Sequence, residues 1–198
     1  MQNDLTPQQS FDLINSIIDR QRIAYEEKGY NILIWGIGVM AAGIIQYILL
    51  HTPWRNLHGL TWFFIIIPLF FYSAYSGYSD RKKYLSEGGN KNAWDVNGMI
   101  WLSVGVLGML NGFIFRELVS CAFTTLIFLP FCVAGMATAL SLKKKSFIYL
   151  VIIAVIICYL ALYIPMNHHP LIASAISLFL FVIPGIILLK DYKQRNNV

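Results

Sequence analysis

Six long apolar segments, none carrying Asp, Glu, Lys, Arg or His in its interior, decide most of what this chain can become. They run over Tyr30–Leu50, Gly59–Tyr78, Asn97–Phe115, Leu118–Leu142, Phe147–Ile164 and Pro170–Leu189. At about 18–25 residues each, they are long enough to cross roughly 30 Å of hydrocarbon as helices. Inside lipid a backbone finds no water, so such segments must satisfy their own N–H and C=O groups, and a helix does that locally. The sequence therefore predicts an all-α membrane protein of six transmembrane helices over residues 30–189. Residues 1–29 would precede them and a short tail, 190–198, would follow. Composition agrees, since 57% of the chain is hydrophobic and 13% charged, against about 45–50% and 25% in soluble domains.

Orientation follows from the basic residues. Arg20, Arg22 and Lys28, then Arg81, Lys82, Lys83 and Lys91, then Lys143, Lys144 and Lys145, then Lys190, Lys193 and Arg195 all fall on one side of a six-span chain. Only Arg55 and Arg116 fall on the other. The positive-inside rule then places both termini in the cytoplasm. The net charge of +5 is dispersed beside membrane exits and suits anionic headgroups, and no nucleic-acid partner is expected. The N-terminus has no apolar core of signal-peptide type, so no cleavage is expected.

Ahead of the first span, Leu5–Lys28 reads as an amphipathic helix. Thr6-Pro7-Gln8-Gln9 has the form of a capping box with proline at the first helical position. Phe11, Leu13, Ile14, Ile17 and Ile18 recur at helical spacing. Phe11, Ile14 and Ile18 are thus candidates for contact with the bilayer surface, with a cytoplasmic or membrane protein partner, or with a second copy of the chain.

The spans also suggest three helical hairpins. Asn31-Ile32-Leu33-Ile34-Trp35 opens the first and Asn97-Gly98-Met99-Ile100-Trp101 the third, while Pro68, Pro130 and Pro184 interrupt the second, fourth and sixth. Proline in a membrane helix frees a carbonyl and kinks the axis, so these three mark candidate kinks or a cavity. Gly36, Gly38, Ala42, Gly43, Gly105, Gly108, Gly135 and Ala139 mark faces where backbones could approach. Trp54, Trp62, Tyr75, Tyr78, Trp94 and Tyr163, near span ends, read as aromatic belts.

Chemistry is sparse. Spans without a midplane carboxylate or histidine argue against proton- or sodium-coupled transport. Trp54-Arg55 resembles the Trp-Arg pair of rhomboid proteases, but Gly135-Met136-Ala137 supplies no serine where that family needs one. Cys121, Cys132 and Cys158 all lie within predicted spans and have no C-x-x-C spacing, so they read as buried apolar side chains. One constellation remains. His51, His58, His168 and His169 all fall on the predicted outer face, where they could converge on a metal ion with Glu117 adding an oxygen. No other cofactor is expected.

The stretch Phe11-Asp12-Leu13-Ile14-Asn15-Ser16-Ile17-Ile18, followed by Gly29-Tyr30-Asn31-Ile32-Leu33-Ile34-Trp35-Gly36, resembles a group of small uncharacterised bacterial six-span integral membrane proteins with an amphipathic N-terminal helix. The resemblance implies a bacterial cytoplasmic membrane location and brings no activity. The expected role is a non-catalytic regulatory, sensing or accessory component. The alternatives are a transporter or channel for a small or lipidic solute, and an outer-face metal-dependent enzyme.

Overall fold

The structure is a computed structural model, and it describes Thr6, Gln8 and residues 29–86, 96–114 and 122–196, with the side chains at 96, 97, 109, 112–114 and 196 excepted. The leader residues Phe11, Ile14 and Ile18 lie outside the described residues, as do Arg116, Glu117 and Cys121. Among the described residues the chain is all-helical. Helix α1 spans Gly29–Leu50, α2 Leu60–Ser86, α3 Val96–Ile114, α4 Phe123–Ser141 and α5 Lys145–Leu160. A final rod is built from α6, His169–Ser177, a π-helical turn at Leu178–Val182, and α7, Ile183–Asn196. Five of these rods, those holding α1, α2, α4, α5 and α6–α7, are long and apolar enough to cross a membrane, and α3 contributes a shorter apolar run at Gly98–Gly108.

Burial in α1 is inverted relative to a soluble protein. Inside α1 the buried residues are Gly29, Gly36, Val39, Ala42 and Gly43, while Ile37, Ile44, Ile45 and Ile48 point outward. Ala134, Ala139, Ala154 and Ala161 are likewise sealed from the surface. Lipid is as apolar as isoleucine, so burying a large side chain gains little there, and small residues that let backbones approach make the better interface.

Two faces of α1 carry most of the assembly. Gly29, Gly36 and Gly43 repeat every seven residues and lie against the final rod. A Cβ on Gly36 would stand 2.8 Å from both the Phe181 Cβ and the Val182 backbone nitrogen, and one on Gly29 2.7 Å from the Leu188 Cβ. From the rod, Gly185 makes the reciprocal approach to Leu33. The contact is glued by hydroxyls: Ser177 donates to the Gly36 carbonyl at 2.9 Å, and Ser174 lies 2.9 Å from the Met40 carbonyl. A seven-residue seam is the signature of left-handed packing, here between two helices that run antiparallel, Gly29 against Leu188 and Gly43 against Pro170.

Helix α2 meets the opposite face of α1. Two residues on from the glycine seam, about 200° around a helix, Asn31 and Gly38 face it. Asn31 donates to Ser76 at 2.9 Å and accepts from the Tyr72 hydroxyl at 2.8 Å, Trp35 donates to Ser73 at 2.5 Å, and Trp62 donates to Gln46 at 2.6 Å. Within α2 itself Thr61 alone is buried. The rest of the bundle closes around α4, which packs on α3 and α5, while the final rod sits against α1 and α5.

The π-helical turn precedes Pro184 directly. Proline lacks the N–H that an α-helix would direct to residue 180 and its ring crowds that carbonyl, so a widened turn there lets the rod continue. A tight turn joins α4 to α5. Leu142 ends the helix, Lys143 takes φ 54°, and the amides of Lys143 and Lys144 bond to the carbonyls of Leu140 and Ala139 at 3.1 and 3.2 Å. This is a Schellman ending with lysine where glycine is usual. Because Lys143 is exposed and bears the Cβ penalty of that conformation, Lys143→Gly is expected to raise stability by about 0.5–1 kcal/mol. Reversible unfolding in mixed micelles checks it, and a fall in stability would show that the lysine side chain itself holds the turn. Beside it, Lys144 pairs with Asp191 on α7 and tethers the turn to the final rod.

Candidate functional site

All the described basic residues but Arg55 fall at the end of the bundle that holds the Lys144–Asp191 pair, and Arg55 and the four histidines at the other. The structure separates those histidines into three settings. His51, on the turn after α1, and the exposed His168, on the turn before α6, stand with ring centroids 6.5 Å apart, and Tyr47 lies 4.4 Å from the first and 5.9 Å from the second. The His51 Nδ1 sits 2.8 Å from the Tyr47 carbonyl. A carbonyl only accepts, so the ring donates through Nδ1. His58 turns the other way, with Nδ1 2.5 Å from the Arg55 carbonyl.

His169 is buried and fully engaged. Its Nε2 donates to the Ile164 carbonyl at 3.0 Å, and its Nδ1 lies 2.9 Å from the buried Thr124 hydroxyl of α4. The Nδ1 contact locks the start of α6 onto α4, and the Nε2 contact ties it to the connection that follows α5. Although adjacent in sequence, His168 and His169 face different surroundings, because one lies on a turn and the other begins the helix. Among the described residues no three His, Cys, Asp or Glu side chains are grouped to hold a metal ion.

The prolines do not converge either. Pro68 is exposed on α2 and Pro130 half-buried in α4. Pro184 is the one beside the central void, a space of about 20 Å³ shared with Ile32, Trp101, Gly135, Thr138 and Leu180, room for roughly one water. The free thiols Cys132 and Cys158 meet across α4 and α5 with sulfurs 3.9 Å apart, fully packed.

Sequence reasoning missed the polar ladder between α1 and α2. Trp62, expected as a belt residue, is half-buried and hydrogen-bonded to Gln46. The signal was present in the seven-residue spacing of Trp62, Leu69 and Ser76, opposite Asn31 and Gly38. The Trp35 and Trp101 echo gains a structural counterpart, because Trp101 donates to Thr138 on α4 at 3.1 Å much as Trp35 donates to Ser73 on α2.

These features define an all-helical bundle with membrane-length apolar helices. No protein-family model matches the chain, no curated protein matches it, and no solved structure matches its fold.

Proposed function

We propose that this chain is a six-span protein of a bacterial cytoplasmic membrane, with both termini in the cytoplasm, acting without catalysis as an accessory or regulatory component that engages a membrane partner through α2. The observation that carries the reading is how α2 is held. A polar ladder fixes it to α1 along one strip, while Phe63, Phe70, Phe71, Tyr75 and Tyr78 remain exposed on the other side. A helix anchored on one strip and aromatic elsewhere is suited to contact with another membrane protein. The packed centre, with its void of about 20 Å³, supports a structural role over passage of a solute. The thirteen-to-two division of basic residues supports the orientation, and the apolar run of α3 supports the sixth span.

Two measurements test this. A cysteine at Asn56 should react with an impermeant thiol reagent in intact cells and one at Asn196 should not; the reverse pattern, or reaction at both, defeats the topology. Photo-crosslinkers at Phe71 and Tyr75 should capture a discrete protein adduct in cells, whereas one at Ile153 on α5 should not. Adducts to lipid alone at all three positions would remove the partner role from α2.

A further inference from the structure

At the histidine end, α1 and α2 diverge and leave an open crevice of about 300 Å³ lined by Ile45, Leu49, Leu57, Leu60, Thr61, Phe64 and Ile65. Its size is at the small end of ligand sites, which run to about 300–1,000 Å³. Six of the seven lining side chains are purely apolar. The seventh, Thr61, is only 7% exposed, and its Oγ1 has no hydrogen-bond partner. The other buried hydroxyls behave otherwise: Thr124, Thr125, Thr138, Ser174 and Ser177 all have partners. A buried hydroxyl left unpaired is destabilising, and the residue that bears it lines the crevice. The 3-10 turn at Arg55–Leu57 that carries Leu57 into the wall also carries Arg55, exposed and without an ion pair among the described residues.

From these observations we infer that the crevice is a binding site for one phospholipid, whose acyl chain lies along Ile45, Leu49, Leu60 and Phe64. Its ester carbonyl accepts from the Thr61 hydroxyl, and its phosphate is drawn to Arg55. The order of these groups matches the order in a glycerophospholipid: charge outermost, ester oxygen at the boundary, hydrocarbon beyond. A single donor in an apolar wall suits an ester carbonyl better than a polyhydroxylated ligand, which would bring groups that the wall cannot satisfy. The inference rests on the membrane placement proposed above and adds a specific lipid to it.

The test uses the full chain in nanodiscs containing phosphatidylglycerol with a photoactivatable acyl chain. Adducts are expected to concentrate on Leu49, Leu60 and Phe64. Leu60→Trp, which fills the crevice, should lower adduct yield there at least tenfold, and the near-isosteric Thr61→Val should lower it about fivefold, the worth of one hydrogen bond. Ile153→Trp, exposed on α5 and away from the crevice, should leave the yield unchanged. Adducts spread evenly around the bundle, or undiminished in both crevice variants, overturn the site while leaving the membrane placement intact. No adduct on any span defeats the placement itself. Should Leu60→Trp fail to fold, the adduct map of the unmodified chain together with Thr61→Val decides the question.

Discussion

Gly36→Val is expected to unseat α1 from the final rod and to lower stability by about 3 kcal/mol or more, with Gly36→Ala lowering it by about 1–3 kcal/mol. Even the smaller side chain places a Cβ 2.8 Å from the Phe181 Cβ and from the Val182 backbone. No rotamer change relieves a contact made by a backbone atom and a Cβ, so the helices must separate. Separation would also break the Ser177 bond to the Gly36 carbonyl, worth roughly 0.6 kcal/mol by comparison with other membrane helix contacts. The control is Gly77→Ala in α2, where an added Cβ meets nothing within 4 Å and helix propensity alone favours alanine by up to about 1 kcal/mol. Reversible unfolding of both in mixed micelles measures the difference. Equal effects would mean that the glycine seam does not hold α1 in place.

His169→Leu carries the second large effect, a loss of about 2–4 kcal/mol. The substitution removes partners from the Ile164 carbonyl and from the Thr124 hydroxyl, and a buried polar group left unsatisfied costs about 1–3 kcal/mol. Leucine has the wrong shape to recover either contact. His51→Ala, by contrast, removes an exposed ring and should fall within about 0.5 kcal/mol of the unmodified protein, as surface substitutions do. The pair of measurements separates two roles that composition alone treats alike. If His51→Ala proves as damaging as His169→Leu, the Tyr47–His51–His168 cluster, and not the buried contact, fastens that end of the bundle.

The histidines show where reading from sequence runs out. Their gathering at one end of the bundle was legible, because span boundaries assign every loop residue to an end. Their division into three settings was not, because it turns on whether a residue lies on a turn or begins a helix, and on where Thr124 of a distant helix comes to rest. The prolines repeat the lesson: Pro68, Pro130 and Pro184 occupy comparable places in their spans, yet only Pro184 reaches the central void. The glycines of α1 mark a packing face in the sequence, where Gly38 groups with Gly36. In the structure Gly29 joins the seam to the final rod, while Gly38 faces Leu69 of α2.

The sequence by itself determined the helical class, the places of five membrane-length rods, and the apolar run of a sixth helix, because lipid solvation tests each segment singly and in order along the chain. Only the tertiary structure decided which face of each helix is inside. Where the surroundings are as apolar as the interior, hydrophobic periodicity no longer separates buried from exposed, and the choice passes to small-residue fit and to paired polar groups such as Asn31 with Ser76 and Ser177 with Gly36. Those partners lie 45 and 141 residues apart, so the choice belongs to pairs of helices and is not written in either one alone.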